Sequence, residues 1–551
     1  MARISPPPGV QTDLPPVNPG PFWAHGVNIR FRLAQLESVD LFGPVVDYTG
    51  APIVLDGSAI ADPLTIDKFR SFFPTPDDAV AIVLAATANR VSRLSFDPLT
   101  PPGSPDVRWR VDDVTPVGLP VAIDAVPNPS TGRIIIPPTW AFDDDDETVV
   151  AIRTNDVSVT PFSWDRSASV LAPLVGAPVG AVACGIVDRI LILAGCESYT
   201  APSPSRFMTV RWSARFDYTD FVPTALNESG ELQLEGGSRI VGGGNTRFGF
   251  MVWTDKRAVV FIPTGDPASV FDRKYVDGSI GLLANKAWVE AGARVWYLGE
   301  DRNLYAYDGG PPRPIPNPLR MATIERVSDA QAARIYMVSH PEFNEVHIWY
   351  PDTADPAFPQ DDPNTALVYN YVENAWSLWR FDRTAYTQRF GIVSSMMIQS
   401  DGTWLKHLDA SLPAKYTVPP GMPVSLQAPA PIAPLAAAVT PFSFACFTNI
   451  MTAPTVTEAT WRLSRVHFDY MAISAVGATD DITLRATGYG EARPDPPSLI
   501  EDAKTVPVGT LAVDLRVSGK GIQFGLVAED VKTYIRLGGI AFTGEDESGE
   551  R

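Results

Sequence analysis

Fifty-three of the 551 residues are proline, in short strings such as Pro6 to Pro8 and Pro311 to Pro316 spread along the chain. Proline has no N–H and a fixed φ, so this density interrupts helices repeatedly while suiting the turns between strands. Between the prolines lie short β-branched or aromatic runs bounded by Gly, Asp and Asn, the pattern of strands and tight turns. Gly180 to Cys196 reads as a hairpin turning at Asp188–Arg189, and Phe248 to Pro263 as one with Thr254 to Arg257 at its tip. Val295 to Asp308 turns at Gly299 to Asn303, Val346 to Trp379 includes a turn at Glu373–Asn374, and Gly391 to Trp404 turns at Asp401–Gly402. These hairpins recur roughly every 45 to 50 residues, the spacing of propeller blades with about four strands each. The expected fold is all-β, an irregular β-propeller with a C-terminal β-sandwich-like domain; a set of sandwiches is the alternative.

The expected division is a proline-rich N-terminal arm over 1–20, a propeller over 21–420, a proline-rich linker over 421–456, a β domain over 457–543 and a flexible tail over 544–551. The arm is either a loose tail or a segment that orders across a neighbouring subunit. In the C-terminal domain, strands are expected at Trp461 to Ala472, Asp481 to Gly488, Thr510 to Arg516, Gly521 to Ala528 and Tyr534 to Phe542, several alternating apolar with polar. Helical periodicity is confined to Leu64 to Phe72 and Arg326 to Met337.

Composition excludes several function classes. An apolar content of 45% gives ample core, whereas a net charge of −19 argues against tight phosphate binding, which needs clustered Lys and Arg. Contact with DNA is expected to be transient and non-specific. Cys184, Cys196 and Cys446 show neither CxxC nor metal spacing and read as reduced core thiols. No signal peptide is expected from the first twenty residues, which lack an apolar segment. Nor is membrane insertion expected, because the apolar run Gln427 to Phe447 is broken by Pro429, Pro431, Pro434 and Pro441.

A search for chemistry yields no catalytic, cofactor-binding or metal-binding residues. His25, His340, His347, His407 and His467 form no pair at helical metal spacing; His340 and His347 could meet across a hairpin, yet no carboxylate is expected beside them. Gly242–Gly243–Gly244–Asn245 reads as a loop, because no Lys-Ser or Lys-Thr follows it. The acidic run Asp143 to Glu147 reads as a solvated loop without calcium-loop spacing. Ser400 to Trp404 only partly matches the sialidase Asp-box and occurs once, and there is no Gly-x-Ser-x-Gly elbow.

Several segments taken in order resemble the nozzle, or tail-hub, family of short-tailed bacteriophages, which includes packaged-DNA stabilisation proteins. They are Trp23 to Phe31, Arg211–Trp212–Ser213 with Asp217 to Phe221, Gly299 to Gly309, Phe343 to Tyr350, Ala366 to Trp376 and the closing Val517 to Phe542. Leu33 to Asp40 departs from the family pattern in lacking a glycine-rich turn. The resemblance implies a non-enzymatic virion protein, assembled in the host cytoplasm into a homohexameric ring below the portal and adaptor. It would retain packaged DNA, form the channel for genome ejection and contact tail fibres or spikes. An acidic wall would keep DNA from sticking, and Gly242 to Asn245 is the expected gate loop. The aromatic content, with 13 Trp and 26 Phe, leads to an expectation that some rings lie at subunit contacts. Two other readings are a carbohydrate-binding or glycan-cleaving propeller at a host surface, and a secreted cellular propeller.

Overall fold

The computed structural model describes residues 2–4, 9–10, 23–32, 35–39, 42–45, 71–75, 82–96, 109–121, 138–145, 147–154, 156, 158–200, 208–267, 269–353, 362–387, 395–407, 442–448, 451–452, 461–474, 480–489, 499–508, 510, 512–519, 521–531 and 533–546. Among them, seven antiparallel sheets of four strands follow one another as the blades of a β-propeller. Blade 1 begins at Ser71–Thr75, blade 2 at Trp140–Asp144, blade 3 at Ala183–Val187, blade 4 at Ile240–Thr246, blade 5 at Trp288–Ala291, blade 6 at Tyr336–His340 and blade 7 at Ala385–Thr387. These first strands are innermost, and blade 7 meets blade 1 through Ala385–Thr387 and Ser71–Thr75, which closes the ring.

The hairpins lie where the sequence places them. Asp188 and Arg189 both have positive φ, which lets a two-residue turn join Ala183–Val187 to Ile190–Ala194. Blades stack face to face, so middle strands are covered on both sides and read as continuous apolar runs. Ile190–Ala194 and Glu345–Tyr350 are buried at every position. Pro173 and Pro314 sit on outermost strands, where no ladder hydrogen bond is lost.

The fourth strand of blade 7 is Phe42–Pro44, paired with Trp404–His407. The chain's early segment therefore closes the ring. Immediately before it, Trp23–Val27, Ile29–Arg32 and Gln35–Ser38 join the C-terminal domain, so the expected propeller start at residue 21 moves to 42. That domain has two sheets sharing one core. The first runs Ile29–Arg32, Gln35–Ser38, Thr533–Asp546, Trp461–Ser474, Ala512–Val513; the second runs Trp23–Val27, Phe442–Thr448, Gly521–Val531, Asp481–Tyr489, Leu499–Pro507.

Other boundaries shift as well. Phe442–Thr448 and Met451–Thr452 are strands inside the expected linker, Leu499–Pro507 is an additional strand, and pairing continues to Asp546 within the expected tail. Ala2–Ile4 pairs with Ile540 to Phe542 of the same chain, while most of the arm and residues 408–441 lie outside the described residues. A short helix, Asp329–Ala332, falls in the expected region and is capped by Ser328 and Gln331. Of the other expected helix, residues 64–70 lie outside the described residues, and Ser71 and Phe72 open a strand instead. No helix among the described residues is long and apolar enough to cross a membrane.

Most large aromatics pack inside the subunit. Trp140, Trp164, Trp253, Trp296, Trp349, Trp379 and Trp404 are fully buried, and the exposed aromatics among the described residues are Tyr199 and Phe216. Trp376 and Trp379 both bury without a bulge between them because different neighbours cover the two faces of their strand. Trp376 donates to Pro316 O, whereas Trp379 donates to Ile29 O of the sandwich. The expected aromatic subunit contacts find no comparable surplus on the described surface.

Candidate functional site

The first strands converge on a cavity of about 300 Å³ at the propeller axis, to which all seven blades contribute. Its aromatic walls include Phe142, Trp140, Trp288, Tyr336 and Tyr386, and its polar groups include Asp143, Asn245, Asn285 and Lys286.

Glycines make the axis this narrow. Gly242, Gly243 and Gly244 belong to the innermost strand of blade 4, not to the expected gate loop. An added Cβ would lie 2.5 Å from Asn285 O at Gly242, 2.6 Å from Met251 O at Gly243 and 2.6 Å from the Trp288 ring at Gly244. Blade 5 therefore approaches blade 4 more closely than any side chain allows.

Asp143, expected in a solvated loop, lies within the innermost strand of blade 2 and lines the cavity. Its Oδ2 accepts from Ile186 N and from Asn245 Nδ2, both at 2.6 Å, which ties blade 2 to blades 3 and 4. Burial pushes this carboxyl up to about 7, against the lowering effect of its backbone hydrogen bonds, although it keeps accessible surface toward the cavity. Asn285 Nδ2 donates to Val182 O at 3.0 Å and Val241 O at 2.9 Å, adding a second tie between blades. Lys286, just before the first strand of blade 5, donates from Nζ to Ser71 Oγ on blade 1. Blades 5 and 1 are not ring neighbours, so this side chain spans the axis. Ser71 Oγ also accepts from Trp140 N. The lysine is used here as a hydrogen-bond donor, the opposite of what a base activating that serine must do.

A second constellation lies where the sandwich meets blade 6. Asn28 adopts φ 56°, donates its N–H to Leu378 O and accepts from Arg380 N through Oδ1, so it continues the ladder on the outer edge of the blade. Next to it, fully buried Arg30 donates from Nε to Glu345 Oε1 at 2.8 Å, and its guanidinium lies 3.4 Å over the Phe343 ring. Glu345 Oε2 and His347 Nε2 are 3.0 Å apart. Burial raises the Glu345 carboxyl, but the Arg30 charge and the His347 hydrogen bond outweigh it and hold the group below its ordinary value. Burial pushes His347 down and keeps it neutral.

His340 and His347 do meet across the hairpin, and Glu345 supplies the carboxylate that was not expected beside them; ligand atoms of the three lie within 4.8 Å of one another. The donor set suits a divalent ion, yet Arg30 already supplies the countercharge to Glu345. The arrangement is an ion-pair network that locks the two modules. Glu345 was readable from its place two residues before His347 on one strand face.

Of the remaining sequence candidates, Cys184 also lines the cavity, and the side chains of His25 and His407 lie outside the described residues. Cys184, Cys196 and Cys446 are buried and unbridged, and burial raises the three thiols far above the range in which they react. Ser400 to Trp404 forms a turn in blade 7, with Asp401 Oδ1 accepting from Thr403 N at 2.8 Å. Sequence reasoning missed Lys286 and Trp288, whose spacing carries no motif.

No protein-family profile matches the chain, and no curated protein matches it. Among solved structures, BamB from Moraxella catarrhalis is similar at 11% identity and a TM-score of 0.33, covering 69% of this chain and 95% of its own. YCF48 from Cyanidioschyzon merolae is similar at 7% identity and a TM-score of 0.34, covering 63% and 97%. AztD from Citrobacter koseri is similar at 13% identity and a TM-score of 0.28, covering 64% and 86%. The chain is a β-propeller protein with a sandwich built from both of its ends.

Proposed function

We propose that this protein is a non-catalytic wall subunit of a short-tailed phage virion, the nozzle ring below the portal and adaptor through which the genome leaves. The ordered segments that resemble the nozzle family suggest this reading, and the way the chain closes on itself supports it most directly. One early segment completes the sandwich, lays Arg30 onto blade 6 and then supplies the last strand of blade 7. The product is a doubly locked block, suited to bearing load.

The axis of such a block is no DNA conduit. Its cavity of about 300 Å³ is crossed by Lys286, whereas the major groove of a duplex alone is about 12 Å wide. The channel therefore lies between copies, six by the family resemblance, and the charge of −19 favours passage of DNA without adhesion. Mass photometry of the chain mixed with its adaptor tests this. A discrete assembly near six copies is the expected outcome, and a monomer at all concentrations and adaptor ratios contradicts it.

The aromatic cavity favours one other reading, a propeller that binds or cleaves carbohydrate at a host surface. Release of reducing sugar from host polysaccharide, abolished by substitutions at the axis, would decide for it.

A further inference from the structure

We propose that the loop over residues 213–229 of blade 3 docks on the free edge of the sandwich of a second copy of this chain, and that this contact, repeated, closes the ring. The inference rests on the tail reading and names the surfaces such a ring uses.

The loop joins the third and fourth strands of blade 3, Thr209–Trp212 and Gly230–Gln233, with seventeen residues, where blades 2, 4, 5 and 6 use two to six. A connection of this length is usually either disordered or functional, and this one is fixed by its own polar groups. Asp217 Oδ1 accepts from Thr219 N at 2.9 Å, Asn227 Nδ2 donates to Asp220 Oδ2 and to Val222 O, both at 2.8 Å, and Arg211 Nη2 donates to Phe221 O at 2.7 Å. The apolar groups turn the other way: Leu226 is 100% exposed, Phe216 is 75% exposed, and Val222 is exposed as well. Exposed Val175 joins them, because Gly176 lies so close to Thr219 O that an added Cβ would stand 2.3 Å from it. Phe216 also has φ 64°, held by its N–H donating to Arg189 O at 2.9 Å. A bulky residue is strained there, and strain of this kind collects where a side chain is displayed for use.

Charge and topology select the partner. With a net charge of −19, copies repel one another except where apolar or opposite charges meet. A closed ring also needs two different patches on opposite flanks of each subunit. Blade 3 stands three places from blade 6 in a ring of seven, nearly across from it. The sandwich meets blade 6 through Trp23–Val27, the first strand of its second sheet; Leu499–Pro507 is the last strand, at the edge farthest from the propeller. That edge carries exposed Lys504, and Arg516 lies beside it, its N–H donating to Asp502 Oδ2 at 2.7 Å. Among the described residues the Lys504 and Arg516 side chains pair with no carboxylate, and Asp217 and Asp220 on the loop pair with no cation. Val506 and Val508, partly buried next to Lys504, give the loop's apolar side chains a surface to cover.

Carbodiimide coupling, which joins a carboxylate to an amine in direct contact, tests the proposal on the full chain assembled with its adaptor from a mixture of isotope-labelled and unlabelled copies. The expected result is an Asp217–Lys504 cross-link between one labelled and one unlabelled peptide. Phe216→Ser, Leu226→Ser and Asp217→Lys should each raise the concentration for half-assembly roughly tenfold or more, and Lys504→Glu with Arg516→Glu should restore assembly to the Asp217→Lys chain. Phe216→Gly relieves the positive φ, so it should raise the urea midpoint of the single subunit while weakening assembly, a split that a merely structural loop would not give. Circular dichroism establishes that each variant is folded. Wild-type rings without the mixed cross-link, rings unchanged in the folded variants, or coupling of Asp217 to the adaptor in place of Lys504 overturn this contact and leave the tail reading standing. A wild-type chain that never assembles overturns both.

Discussion

Replacing Asp143 by Asn should make the protein more stable, and more so as pH rises. The side chain is held at about 7 instead of 3.8, chiefly by burial. Each tenfold change in proton affinity is about 1.4 kcal/mol, so the full difference is on the order of 4 kcal/mol. The cavity leaves part of Asp143 accessible, and screening there reduces the measurable effect to about 2–4 kcal/mol. Below about pH 4 the carboxyl is protonated in both folded and unfolded chains, and Asp143 carries no penalty. As pH rises toward 7 the unfolded chain ionises while the folded one holds its proton, so stability is lost through that window. Asn keeps an oxygen for Ile186 N and Asn245 Nδ2 but cannot ionise. Urea midpoints of both proteins, followed by tryptophan fluorescence from about pH 4.5 to 8, should diverge with the variant on top at the alkaline end. Parallel curves, or a variant less stable at high pH, would refute the assignment of Asp143 as a buried, reluctantly ionised group.

Three further outcomes follow from the same geometry. Arg30→Met leaves the Glu345 charge buried without its partner and should cost about 3–5 kcal/mol, with calorimetry separating the sandwich and propeller transitions; Arg30→Met combined with Glu345→Met should recover much of the loss. Gly242→Ala drives a Cβ against the Asn285 carbonyl oxygen and should cost about 1–3 kcal/mol or more, read as a lower urea midpoint. Removing residues 1–45 takes away the closing strand of blade 7 and four strands of the sandwich. Limited proteolysis should then cut both modules rapidly, whereas an intact propeller would contradict the closure described.

The fold was legible where local chemistry decides structure. Asp188–Arg189, Glu373–Asn374 and Asp401–Gly402 announce their turns, and the apolar runs beside them can only be strands. Pairings between distant segments left no such trace. Nothing local in Phe42–Pro44 indicates a partner more than three hundred residues away at Trp404–His407, and Trp23–Val27 carries no mark assigning it to the sandwich. The site was hidden for a related reason. Gly242 to Asn245 and Asp143 to Glu147 look like loops because glycine runs and acidic runs usually are. Here the glycines admit blade 5 to the axis, and Asp143 turns inward to hold Ile186 and Asn245. Glu345 was closer to hand, since alternation along Glu345–Tyr350 puts it on the same face as His347.

The most direct test of the account is cryo-electron imaging of the full chain assembled with its candidate adaptor ring. The account predicts sixfold rings whose central channel lies between subunits, each contributing a seven-bladed propeller with a closed axis. Dispersed monomers, or an assembly in which the passage runs through the propeller axis itself, would contradict it.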